Sequence, residues 1–262
     1  MNMISSSRAR SDIAAFFDID GTLLAPPSLE RQFFAVLRQR RAIAMRNYFL
    51  WLARVVRLMP SGFSTMRHEN KMYLRGVSIR GCKEQRLRQP KMAVPRFFPA
   101  AIDQIVRHAR QGHAIVLVSG TLAPLAMEVG LVLTMRLAVR GVAATMAVCA
   151  TQLEESGGRW TGRIVGEAMF GEAKGRAVRR MIRENKFDAQ QCYAYGDSLS
   201  DRSMLEAVGQ AAVVNPTGRL ERIARRKEWP LLRWAEEKNS AQSSRRTPSG
   251  RRKAEEIWEN VG

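Results

Sequence analysis

The stretch AAFFDIDGTLLAPP, residues 14–27, sets Asp18 and Asp20 one residue apart inside an apolar run. Residues 13–17 read as a short buried strand, and Gly21 to Pro27 as the turn that ends it. Residues i and i+2 of an extended segment point to the same side. The two carboxylates can therefore face one site, where they repel each other. Asp20-Gly21 between apolar residues also suits a β-hairpin turn, although Pro26-Pro27 and a helical pattern follow, not a pairing strand. A calcium loop needs D-x-D-x-D-G, and Gly21 falls too early for it. The remaining reading is chemical. One carboxylate can attack phosphorus, and the second can protonate the leaving oxygen and then deprotonate the incoming water. A divalent cation would relieve the repulsion.

The rest of the chain supplies the context. PAAIDQIVRHARQG (99–112) puts Ile102, Ile105, Val106 and Ala109 on one helical face, with Pro99 near the start and Gly112 just past the end. HAIVLVSG (113–120) reads as a buried strand and 122–136 as a helix. VCATQLEESGGRWTGRIV (148–165) reads as a hairpin around Gly157-Gly158. AKGRAVRRMIREN (173–185) is helical, CYAYG (192–196) a strand, 201–208 a helix, AAVVN (211–215) a strand and 217–227 a helix. Alternating strands and helices predict an α/β fold with a parallel sheet covered on both faces. Ligands bind such sheets at the carboxyl ends of the strands. Asp18, Ser119 and Asp197 each follow a predicted strand.

The chain has 262 residues, 45% of them hydrophobic, enough for a packed core and too many for a wholly disordered chain. Lys and Arg number 43 against 24 acids, for a net charge of +19. That balance favours anionic partners: phosphorylated metabolites, anionic lipid or nucleic acid. Cys82, Cys149 and Cys192 are scattered without metal-ligand spacing, which suits a reducing cytoplasm. The first residues lack the apolar run of a secretory signal, and charges interrupt every apolar run short of a membrane span.

Four stretches together resemble the motifs of the haloacid dehalogenase superfamily, mostly phosphatases: FFDIDGTLL (16–24), IVLVSGT (115–121), FGEAKGRAV (170–178) and YGDSLSD (195–201). The resemblance covers about residues 13–230 and implies a Rossmann-like core. It implies that Asp18 is the nucleophile and a Mg²⁺ ligand. Asp20 would be the general acid/base and bind Mg²⁺ through its backbone carbonyl. Ser119 and the Gly120 N–H would hold the phosphoryl oxygens, and Lys174 would neutralise charge on nucleophile and phosphate. Asp197 would be a Mg²⁺ ligand, with Asp201 supporting the metal shell or orienting Lys174. Taken singly, Ser119-Gly120 also reads as a turn, Lys174 as a solvated helix residue and Asp201 as a helix cap.

About 98 residues separate Asp20 from Ser119, far more than one crossover requires. The expected organisation is a catalytic core of 13–26 and 97–230, a helical cap over 27–96, and a basic, flexible tail over 231–262. This matches the branch of the superfamily that includes phosphoserine phosphatases. No glutamate aligns where those enzymes hold the amino acid; Pro27 stands there. From Glu30 to Arg96 there are 16 Lys/Arg against three acids. AIAMRNYFLWLARVVRLM (42–59) is helical, aromatic and basic, with Arg46, Arg54 and Arg57 on one side. The expected activity is Mg²⁺-dependent hydrolysis of a small phosphorylated metabolite through an aspartyl-phosphate. The alternatives are a lipid-phosphate phosphatase at an anionic membrane surface, and a basic nucleic-acid-binding protein with an idle site.

Overall fold

The computed structural model describes residues 11–58, 69–78, 95–216 and 218–235. Residues 59–68 and 79–94 of the expected cap, and 236–262 of the expected tail, lie outside the described residues.

A six-stranded parallel sheet in the order β3-β2-β1-β6-β7-β8 forms the centre. Its strands are β1 (Ala14–Phe17), β2 (Ala114–Leu122), β3 (Met146–Thr151), β6 (Tyr193–Gly196), β7 (Gln210–Val214) and β8 (Leu231–Leu232). The expected α/β, Rossmann-like fold is the observed one. Residues on β1 alternate between two hydrophobic layers. Ala15 and Phe17 join one cluster with Ile102, Ile105, Leu133 and Leu137, while Ala14 and Phe16 join a second with Val178, Ile182, Leu220 and Ala224. Both faces are thus covered, which is why β1 can be apolar at every position.

The helices follow from their sequence periods. In α3 (Pro99–Arg110) the buried face is Ala101, Ile102, Ile105, Val106, His108 and Ala109, with a proline opening the helix. The other long helices of the core are α4 (Ala123–Val139) and α5 (Glu172–Asn185), followed by the short α6 (Arg202–Leu205) and by α7 (Gly218–Arg226). Between β1 and α3 lie α1 (Leu29–Gln39), α2 (Met45–Leu58) and a 3-10 turn over Met72–Leu74. Leu29, Phe33, Leu37 and Leu74 share the first cluster with Ile19, Phe97 and Phe98.

The stretch 42–59, expected to be helical, is so over Met45–Leu58, and Arg41, between it and α1, takes a left-handed backbone (φ 54). Two expectations need correction. The expected hairpin over 148–165 is narrower: β4 (Leu153–Ser156) and β5 (Arg159–Ile164) form it, while Met146–Thr151 is a parallel strand beside β2. Leu231–Leu232, placed in the tail by sequence, pairs with β7 as the sixth strand.

Behind β1 lies a buried polar network. His108 meets the Tyr195 hydroxyl through Nε2 and His113 through Nδ1, both at 2.9 Å, and Gln104 donates to Tyr195 at 2.6 Å. Tyr195 stacks on Phe17 with ring centroids 4.6 Å apart. Burial first, then the charges of His113 and Arg107, push the His108 imidazole down to about 4. Between pH 6.5 and about 4 the unfolded chain binds a proton that the folded chain refuses, so stability falls as pH drops through that window. The expected loss is about 3 kcal/mol. Urea denaturation of the wild type and His108→Gln at pH 7 and pH 4.5 checks it, the variant losing less over the same interval.

Candidate active site

The strand order places the site. β2 and β3 follow β1 to one side of the sheet, and β6, β7 and β8 lie on the other. The chain reverses its direction of winding at β1 and β6, and this switch point is where ligands bind open α/β sheets. Asp18 follows β1, and its N–H donates to the Tyr195 carbonyl at 2.9 Å. Ser119 lies near the carboxyl end of β2, where the pairing with β3 slips between Ser119 and Leu122. Such a bulge re-aims the chain next to a site. Asp197 follows β6, and Lys174 sits in the first turn of α5.

These residues converge. Lys174 Nζ donates to Asp18 Oδ1 at 2.5 Å and to Asp201 Oδ1 at 2.6 Å, and all three side chains are buried. The other Asp201 oxygen accepts the Asp197 N–H, the Ser198 N–H and the Ser198 hydroxyl at 3.0–3.2 Å. Asp201 therefore both caps the turn over Leu199–Asp201 and orients Lys174; the two sequence readings of it describe one geometry. Carboxylate oxygens of Asp18, Asp197 and Asp201 lie within 4.8 Å of one another. Burial raises the Asp18 carboxyl to about 7, with Lys174 pulling it down and Asp201 and Asp20 adding smaller upward pushes. Burial and the charges of Asp18 and Asp201 raise Asp197 to about 8. Against the desolvation of full burial, Asp18 and Asp201 hold the Lys174 ammonium above its ordinary range.

The donor set fits a hard divalent cation. Both Asp201 oxygens are committed to protein donors, whereas Asp18 and Asp197 each keep an oxygen free of a donor among the described residues, and three carboxylates this close suit a hard cation with oxygen ligands. Gly21 enforces the closeness. Its φ is +93°, and a Cβ there would lie 2.2 Å from Asp197 Oδ2, so the chain at this turn accommodates no side chain without displacing Asp197.

Asp20 stands apart from the carboxylate cluster. Its Oδ1 accepts the Leu29 N–H at 2.8 Å, at the first turn of α1. Burial raises its carboxyl above the ordinary range, with the Leu29 bond and Lys174 acting the other way. Asp18, Asp20, Ser119, Gly120 and Lys174 line one cavity of about 880 Å³. Sequence reasoning missed Thr121 there. Its hydroxyl is buried without a hydrogen-bond partner among the described residues, and its N–H donates to Ser119 Oγ at 3.2 Å. The signal is present in the chain, since Thr121 follows Ser119-Gly120 in the same motif. The outer wall carries Phe34, Tyr48, Trp51, Tyr73 and Phe170, with Arg31 and Arg38. There, Glu30 is held by Lys71 and by the Tyr73 hydroxyl, the latter at 2.5 Å.

A family model described as haloacid dehalogenase-like hydrolase matches residues 15–206. A Mycobacterium tuberculosis protein named as a probable phosphatase is 30% identical over 87% of this chain and 77% of its own length. A solved structure from Bordetella pertussis, of unknown function, superposes with TM-score 0.62 at 24% identity, covering 85% of this chain and 98% of that one. A phosphoserine phosphatase solved as an analogue of its phospho-aspartyl intermediate gives TM-score 0.53 at 14% identity, covering 89% and 99%. The chain belongs to the haloacid dehalogenase-like hydrolases and is a phosphatase of that family. The two structural likenesses concern the fold. No helix among the described residues is long and apolar enough to cross a membrane.

Proposed function

We propose that the protein hydrolyses a small phosphomonoester through an aspartyl-phosphate at Asp18. The observation that carries this is the buried Asp18–Lys174–Asp201 chain at the mouth of the sheet. Lys174 draws the Asp18 carboxyl toward its ionised form against the effect of burial and aims it, so that Oδ attacks phosphorus. Ser119, the Gly120 N–H and Thr121 take the phosphoryl oxygens as negative charge builds. Asp20, whose carboxyl holds a proton more readily than usual, protonates the leaving oxygen; its carboxylate then takes a proton from the water that hydrolyses the intermediate. Asp18, Asp197 and the Asp20 backbone carbonyl would hold Mg²⁺, which would supply positive charge to offset the repulsion between carboxylates and phosphate.

Residues 27–96 act as the cap in this reading. The Asp20–Leu29 hydrogen bond ties the acid/base to the first turn of α1, so movement of α1 moves Asp20 as well. Phosphoserine is disfavoured as substrate. Its ammonium needs a carboxylate, and Glu30 in the cavity wall is already paired with Lys71 and Tyr73. Five aromatic rings and two arginines suit instead a leaving group with apolar surface and a further negative charge. A cytoplasmic setting accords with the free Cys149 and Cys192.

A second reading, a phosphatase acting on lipid phosphates at an anionic membrane, rests on α2. Met45, Phe49, Leu52 and Val56 form an exposed apolar stripe along that helix, with arginines beside it. Tyr48 and Trp51 of the same helix line the catalytic cavity. Comparing phosphate release from aryl phosphate, phosphorylated metabolites and lipid phosphates decides between the two. Chelation is expected to abolish release, and Mg²⁺ to restore it and raise the melting temperature. Full activity in chelator would remove the metal from this account.

A further inference from the structure

Besides the catalytic cavity the molecule has a second one, of about 900 Å³, between α2 and the β4–β5 hairpin. Arg46, Arg54 and Arg57 line it from α2, Arg75 from the turn after Leu74, and Arg159 and Arg163 from β5. Two acids also line it, Glu69 and Glu167, and Glu167 is paired with Arg176. Arg163 is paired with Glu154 at 2.7 Å, and Arg159 donates to the Gly76 carbonyl at 2.8 Å. Arg46, Arg54, Arg57 and Arg75 have no side-chain hydrogen bond or ion pair among the described residues. Four unpaired guanidinium groups around one cavity repel one another, and a multiply charged anion removes that cost. Guanidinium also matches phosphate oxygens in bidentate geometry.

We propose that this cavity is a second anion site, distinct from the catalytic one, that takes a ligand bearing two or more phosphates or a cluster of phosphate headgroups. The wall between the two cavities is thin. Lys71 and Tyr73 face the catalytic cavity while Met72 and Arg75 face the arginine cavity. Helix α2 is divided in the same way, Tyr48 and Trp51 against Arg46, Arg54 and Arg57. The hairpin backs directly onto this wall at Gly162, where φ is +84° and a Cβ would lie 3.0 Å from the Met72 Cα. A ligand in the arginine cavity therefore presses on the segment that holds Glu30 in the substrate pocket. That coupling rests on the catalytic reading above; the binding itself does not.

Calorimetric titration of the full chain with inorganic tripolyphosphate, without divalent cation, tests the binding. The wild type is expected to bind, Arg54→Gln/Arg57→Gln to lose at least tenfold in affinity, and Ser119→Ala to bind as the wild type does. Arg75→Gln, on the opposite wall, gives an independent loss. These arginines are exposed, so the variants keep the fold, as circular dichroism will verify. Vesicles containing phosphatidylglycerol form the second arm. Vesicle binding that tripolyphosphate displaces assigns the site to lipid headgroups, and tripolyphosphate binding alone assigns it to a soluble polyphosphate. Equal affinity in the wild type and the Arg54→Gln/Arg57→Gln variant, or no binding of either probe, overturns the proposal. Neither result depends on catalysis, so a failure here is separate from a failure of the phosphatase mechanism.

Discussion

Asp18→Asn is expected to lower phosphate release on the order of 10⁴-fold or more, because an amide oxygen does not replace a carboxylate as nucleophile. The loss should occur in a folded protein. Burial already raises the Asp18 carboxyl to about 7, so its charged form is disfavoured where it sits. Exchanging it for a neutral residue of the same shape relieves that burden and leaves the hydrogen-bonding geometry largely in place. The melting temperature of the variant without metal should equal or exceed that of the wild type. Steady-state kinetics on an aryl phosphate, together with a thermal melt, separate the chemical effect from any structural one. A variant with near-normal turnover would remove Asp18 from the nucleophile's place.

Lys174→Met should damage both activity and stability. The ammonium bridges Asp18 and Asp201, and its removal strands two buried carboxylates. Removing one partner of a buried pair costs about 3–5 kcal/mol, which for a chain of this size lowers the melting temperature by roughly 6–20 °C. Loss of one preorganised positive charge at the transition state costs a further 10²–10³-fold in rate, roughly. The double variant Lys174→Met/Asp201→Asn strands one charge fewer. It should recover part of the stability and none of the activity. Recovery of both would mean that Lys174 serves packing alone.

Much of this site is legible in the amino-acid sequence, for a physical reason. Asp18, Ser119 and Asp197 each stand where a buried apolar strand ends, and runs such as AAFF and AIVLV mark those ends plainly. Lys174 can be placed by its motif, but not by charge, among 43 Lys and Arg. The contacts across long stretches of chain are not legible. The Glu30–Lys71 pair spans 41 residues, and the bond from Leu29 to Asp20 depends on how α1 enters the site. β3 escapes the sequence pattern because it is an edge strand, mostly half-buried, and only Gln152 separates it from the hairpin, so no helix marks the boundary. The break between α1 and α2 has no glycine or proline to announce it; Arg41 takes the left-handed backbone instead.

The proposed mechanism passes through a covalent phosphoryl group on Asp18. The direct measurement is to mix the protein with a phosphorylated substrate, quench in acid within a turnover, and map the digested peptides by mass spectrometry. A hydroxylamine-labile phosphoryl adduct is expected on Asp18 and is absent from Asp18→Asn; with an aryl phosphate whose leaving group needs no protonation, it accumulates further in Asp20→Asn, where water is not activated. Turnover without any adduct, or an adduct on another residue, would contradict it.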